Sequence, residues 1–144
     1  MPTGVRTDPY RSYNFLVEID GIIQAGFQEC GGLDTSTDVI DYREGADPNH
    51  ARKLPGLNKF TAITLKRGVT DSDELWKWRQ GVVTGKPERR NGSIVLLDDT
   101  GTERIRWNFH AAWPSKWTGP AFNATGNAVA VESLELTHEE LVRA

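Results

Sequence analysis

Sulfur and long apolar runs are what this chain of 144 residues has least of. Its single cysteine, Cys30, excludes an internal disulfide, and with Gly31 and Gly32 behind it the thiol reads as a small buried or turn residue rather than a nucleophile. No apolar run approaches the roughly eighteen residues of a membrane-spanning helix. Residues 1–12 lack both an apolar stretch and a small-residue cleavage site, so the expectation is cytoplasmic synthesis with no membrane insertion by this chain. Surplus charge is missing as well. With 17 basic and 20 acidic residues the net charge is -3, which argues against a nucleic-acid footprint or a polybasic membrane face.

Catalytic signatures are also wanting. The sequence holds no G-x-G-x-x-G, P-loop, H-E-x-x-H or C-x-x-C. His138 is followed by Glu139 and Glu140 without a second histidine at helical spacing, while His50 and His110 stand alone, so all three read as surface or hydrogen-bonded residues. Asp98 and Asp99 could form a carboxylate pair, but Thr100 and Gly101 after them favour a turn. Trp76, Trp78, Trp107 and Trp113 fall where periodicity would place a core or an interface. No catalytic residue, cofactor or metal site is expected, and the chain is read as a non-enzyme.

What is present is patterning. One domain fits this length, with about 68–70% of the unfolded surface available for burial. The segment 55–80 packs a Pro-Gly turn, a strand over 60–65 and a helix into one unit. Thr70 with Asp73 has the form of a capping box, placing a helix from about Asp71 to Gln80 with Gly81 as terminator. Leu75, Trp78 and Val82, or Leu75, Trp76 and Arg79, fall at helical spacing. Leu75 and Trp78 are expected to anchor the helix.

Elsewhere period two dominates. Tyr13, Phe15, Val17 and Ile19 share a face, Asp20-Gly21 is a hairpin signal, and 22–27 returns as a second strand. A third strand over 36–44 has one polar face. Residues 45–58, with two prolines and no sustained periodicity, read as an extended contact loop, and 1–12 as an N-terminal arm. The cleanest alternation sets Ile105, Trp107, Phe109, Ala111 and Trp113 against Arg104, Arg106, Asn108, His110 and Ala112. Pro114 and Gly119-Pro120 then close that strand, 117–126 reads as loop, and a last strand covers 128–138. Seven or eight strands and one short helix predict a mainly β chain, an antiparallel barrel or sandwich.

The wording PGLNKFTAITLKRGVTDSDELWKW closely resembles the central segment of the tail tube proteins of contractile phages and phage-tail-like contractile injection systems. Similar phrases are Tyr13 to Ile19, Gly26-Phe27, Gly32-Leu33, Asp98-Asp99 with Trp107, and Ala130-Val131-Glu132 to His138-Glu139, so the resemblance spans nearly the whole chain. It implies an inner-tube subunit: hexameric rings stacked into a hollow conduit, a contractile sheath around it, baseplate or hub proteins at one end, and protein or DNA cargo in the lumen. A specialised first-ring or baseplate paralogue is the alternative within the family. Outside it the rivals are a monomeric ligand-binding barrel with an internal pocket and an enzyme with a dispersed site. On the tube reading, Tyr10, Asp47, Asn49, Arg52, Lys53 and Leu54 are candidate contacts between subunits or rings. Gln24, Thr35, Thr37, Asp38 and Asp41 are candidates for the lumen. The charges of the arginine-bearing strand are placed toward the outer wall or an interface, because a cationic bore would hold DNA.

Overall fold

The structure, a computed structural model, describes residues 14–20, 26–45, 49, 51–127 and 129–144, which form nine strands and one helix. Strands β1 (Phe15–Ile19), β6 (Arg90–Leu97) and β9 (Glu140–Arg143) pair with the first half of the long β7 (Glu103–Thr118) or with one another. The second half of β7 pairs with β8 (Val131–Thr137), followed by β5 (Ile63–Gly68) and β2 (Phe27–Gly31). All these pairings are antiparallel. The path β1-β6-β7-β8-β5-β2 has ends that do not meet, so the barrel is open.

β7 turns from one half-sheet to the other at Ala111, a non-glycine residue with φ of 54°. Its register against β6 slips there, Arg90 lying opposite Ala112 and Gly92 opposite Phe109. The slip inverts the inward face. Phe109 and Ala112 are fully buried, whereas Ala111 and Trp113, which unbroken alternation would place with Phe109, are only partly covered. Pro114 does not close the strand. It lies buried opposite Leu136 beside a second irregularity, and pairing continues to Thr118. Gly92 is inside β6, where a Cβ would stand 2.4 Å from both the Phe109 ring and the Glu18 carbonyl oxygen.

The two half-sheets share one core: Val17, Ile19, Ile94 and Phe109 from one side meet Ile63, Leu65, Leu134 and Leu136 from the other. Helix α1 (Glu74–Val83) joins the same cluster through Leu75 and Trp78, the two expected anchors. The Trp78 indole N–H donates to the Glu88 carbonyl at 2.6 Å, and the Arg90 guanidinium lies 5.4 Å from its ring centre. The helix begins three residues later than expected. Asp73 is its N-cap without a side-chain cap bond, and Thr70 Oγ1 instead accepts from the Ser72 N–H, a local turn that competes with a capping box. Gly81 is inside the helix. The chain returns over it, with Lys86 N–H bonded to its carbonyl at 2.8 Å, and the left-handed residue at the end is Gly85.

Residues 45–58 are not a loop throughout. Strand β4 (Arg52–Phe60) pairs with β3 (Thr35–Tyr42) as a separate two-stranded ribbon. Pro55 and Gly56 disguise β4 in the sequence. Pro55 lies opposite Val39 in a strand with one unpaired edge, which tolerates a missing N–H, and Gly56 leaves room for the Ile40 side chain, 3.1 Å from where a Cβ would be. The strand expected over 60–65 is the junction of β4 and β5, broken at Thr61 and Ala62. β9 lies beyond the last strand expected from the sequence.

Candidate assembly surfaces

Gly31 lies opposite Thr64 in the β2–β5 pair, and Thr35 lies opposite Phe60 in the β3–β4 pair. One strand has advanced four residues and the other retreated four, so the register of the β2–β5 pair carries across the junction into the ribbon, where it shifts between Thr37 and Val39. The interruption is local: Gly32, at φ 87°, passes so close to Ala62 that a Cβ would stand 2.1 Å from its carbonyl oxygen. Thr61 ties the two sides together, its hydroxyl donating to Gly32 O at 2.8 Å and its N–H to Asp34 O at 3.3 Å.

Past that crossing the ribbon is bare. Val39, Ile40, Tyr42, Leu54 and Leu57 are exposed, Leu57 to 74%. An isolated two-stranded ribbon is marginal in water, and these side chains find no cover in their own chain among the described residues. The expected contact residues Arg52, Lys53 and Leu54 are on β4, and Asn49 is exposed in the connection between the strands. The expected lumen residues Thr35, Thr37, Asp38 and Asp41 are on the paired strand β3, where Asp41 lies opposite Lys53. Contact and lumen candidates therefore share one ribbon. Tyr10, Gln24 and Asp47, with the whole N-terminal arm, lie outside the described residues.

The carboxylates do not make β3 an acidic face by themselves. Asp38 pairs with Lys59 at 3.2 Å and Asp41 with Lys53 at 2.5 Å, while Thr37 donates to Asn58 at 2.8 Å. The arginines of β7 are likewise engaged. Arg104 bonds Asp98 at 2.9 Å, and Arg106 bonds Glu103 and, at 2.7 Å, Glu18. Those bonds, Glu103 first and Glu18 second, raise the Arg106 guanidinium further above its ordinary value. Asn108 accepts from the Ser93 hydroxyl at 2.6 Å, and His110 is exposed.

Asp98 has a structural duty. Its Oδ1 accepts from Thr100 Oγ1 and from the N–H groups of Thr100 and Thr102, within a turn closed by Gly101 at φ 83°. These bonds, led by the Thr100 hydroxyl, hold its carboxyl well below the usual carboxylate range. No group of three or more metal-ligating side chains occurs among the described residues, and no helix there is long and apolar enough to cross a membrane. An open cleft of about 460 Å³ lies near β1 and β2, lined by Phe15, Cys30, Leu33, Leu96 and Trp107 among others. Burial pushes the Cys30 thiol up to about 11, which keeps it protonated and unreactive.

On the helix side Trp76, 48% exposed, meets Trp117 edge-on with ring centres 5.3 Å apart. Sequence periodicity offered Trp76 as a possible core residue, but it is Trp78 that turns inward.

Residues 11–142 match the family of the T4-like virus tail tube protein gp19. The chain belongs to this family. The fold of this tail tube protein is shared with solved structures of contractile systems. A chain in the sheath-tube complex of PVC, an extracellular contractile injection system in the extended state, is 34% identical with a TM-score of 0.83, covering 94% of this chain and 91% of that one. A chain in the PVC sheath/tube terminator structure is 31% identical with a TM-score of 0.87, covering 97% and 99%. Hcp1 from Flavobacterium johnsoniae, 17% identical with a TM-score of 0.56 over 89% and 94%, shares the fold alone. No curated protein matches. This tail tube protein is thus a structural component of a phage tail-like contractile system, as its sequence resemblance implies.

Proposed function

We propose that this tail tube protein closes laterally into hexameric rings and stacks into the hollow inner tube of a contractile injection system or phage tail. The observation that carries the reading is the β3–β4 ribbon: eight and nine residues long, with exposed apolar side chains on both strands, continuing the sheet outward with nothing over it among the described residues. Such a ribbon adds strands to a neighbour's sheet, and the unpaired edges of β2, β3 and β4 supply backbone groups for the purpose. Ring contacts are heterologous and close, whereas stacking contacts repeat without closing. Arg52, Lys53, Leu54 and Asn49 then make contacts between subunits, with Tyr10 and Asp47 as further contributors. Thr35, Thr37, Asp38, Asp41 and Gln24 face the bore, and the β7 arginines face the outer wall or an interface. A contractile sheath surrounds the tube, a baseplate or hub holds one end, and protein effector or DNA is the cargo.

Negative-stain microscopy of the purified protein tests the proposal. Six-fold rings or tubes are expected. A dispersed monomer at high concentration, with the ribbon intact by mass spectrometry, overturns it.

A further inference from the structure

His138 is buried, 8% exposed, in the turn between β8 and β9. Its ring lies 5.7 Å from the Phe60 ring at the foot of the ribbon and 6.4 Å from that of Phe109 on β7. Nε2 is 3.0 Å from the Thr61 carbonyl oxygen and Nδ1 is 3.2 Å from that of Glu140. Both partners are pure acceptors. A neutral imidazole carries one N–H and one lone pair, so it can satisfy only one of them and turns its lone pair on the other. An imidazolium donates to both, and both bonds are then charge-assisted.

The two carbonyls belong to separate elements. Thr61 stands in the break between β4 and β5, where the ribbon leaves the sheet, and Glu140 opens β9. We propose that His138 is a proton-operated latch: charged, it ties the root of the ribbon to β9 across the β7 corner, and neutral, it releases one of the two. The shorter Nε2 contact is the one the neutral ring keeps, so the Glu140 carbonyl loses its donor and β9 loosens. Sign follows directly: the double tie is present when the ring is protonated and is lost when it gives up its proton.

Ionisable residues beside it include Glu139 and Glu140 in its own turn, His110 opposite Glu140 on β7, and Asp34 and Lys59 beside the ribbon root. Glu139 is bound to Arg89 and Lys59 to Asp38. The ring's recorded hydrogen bonds go to the two carbonyls rather than to any of these side chains. The latch rests on this geometry and is independent of how the protein assembles.

The test is hydrogen exchange of the wild-type chain at pH 5 and pH 8, corrected for intrinsic exchange, together with nitrogen-15 spectra of the imidazole. Expected are an imidazolium pattern at pH 5, an Nε2–H tautomer at pH 8, and about tenfold faster exchange over 140–143 at pH 8, the loss of one bond to a charged donor. His138→Gln, which cannot titrate, should show the same corrected exchange at both pH values. A ring still neutral at pH 5, or a titrating ring with unchanged protection of β9, overturns the proposal, and either result is available from the wild-type chain if the variant does not fold.

Discussion

Trp78 is the side chain on which the helix depends, since it fills the core and its N–H is held by Glu88. Trp78→Ala should cost roughly 3–5 kcal/mol, read by chemical denaturation, whereas Trp76→Ala, on the outer side of the same helix, should stay within about 1 kcal/mol. Equal losses at the two positions would show that the helix is rotated from the arrangement described. Asp98 offers a pH test with the opposite sign to a histidine. Its folded-state value is depressed, so its contribution is fully present above the ordinary carboxylate range and is lost as pH falls through the folded value. The difference in Tm between wild type and Asp98→Asn should therefore be constant from pH 5 to pH 8 and shrink only below about pH 4. A difference that changes between pH 5 and pH 8 would assign the effect to another group.

At the scale of elements, the ribbon should be cut by protease in free subunits and protected in assembled tubes, and residues 1–12 are expected to follow the same course. Equal cleavage in both states would remove the ribbon from the assembly contacts. Strand β1 and the anchors Leu75 and Trp78 were legible because their periodicity is uninterrupted and their apolar groups all reach one core. The rest was hidden by single residues that act through tertiary contacts. Gly81 looks like a stop, but the returning chain makes it a close-packed helical residue. Pro55-Gly56 looks like a turn, yet one residue faces an open edge and the other makes way for Ile40. Alternation through Trp113 looks perfect, yet Ala111 adopts a left-handed conformation and turns the strand over. His138 was read as an ordinary surface or hydrogen-bonded residue, and no local pattern in the sequence brings Thr61 to its ring.

For the whole molecule the decisive question is which side of the wall each strand occupies. Cysteines placed at Thr37 and Arg106, with Cys30 replaced by alanine, can be probed on assembled tubes with a maleimide too bulky to enter the bore. Protection at 37 with labelling at 106 is expected, and the reverse pattern would exchange lumen and outer wall. The sequence pattern supplied the acidic residues of β3 but not their lysine partners on β4, because only the pairing of the two strands reveals that Asp38 and Asp41 are largely balanced. Repeated round the proposed ring, that ribbon would present alternating charge instead of a uniform field. The register carried across the junction from the sheet also makes the ribbon a ruler. Two residues added to each strand beyond Thr35 and Phe60 lengthen it by about 7 Å and leave inward and outward faces as they were, while one residue added to each turns the tip over. Reach can thus be graduated in steps of a residue pair while the body of the subunit, which ends at the Gly32–Ala62 crossing, stays unaltered.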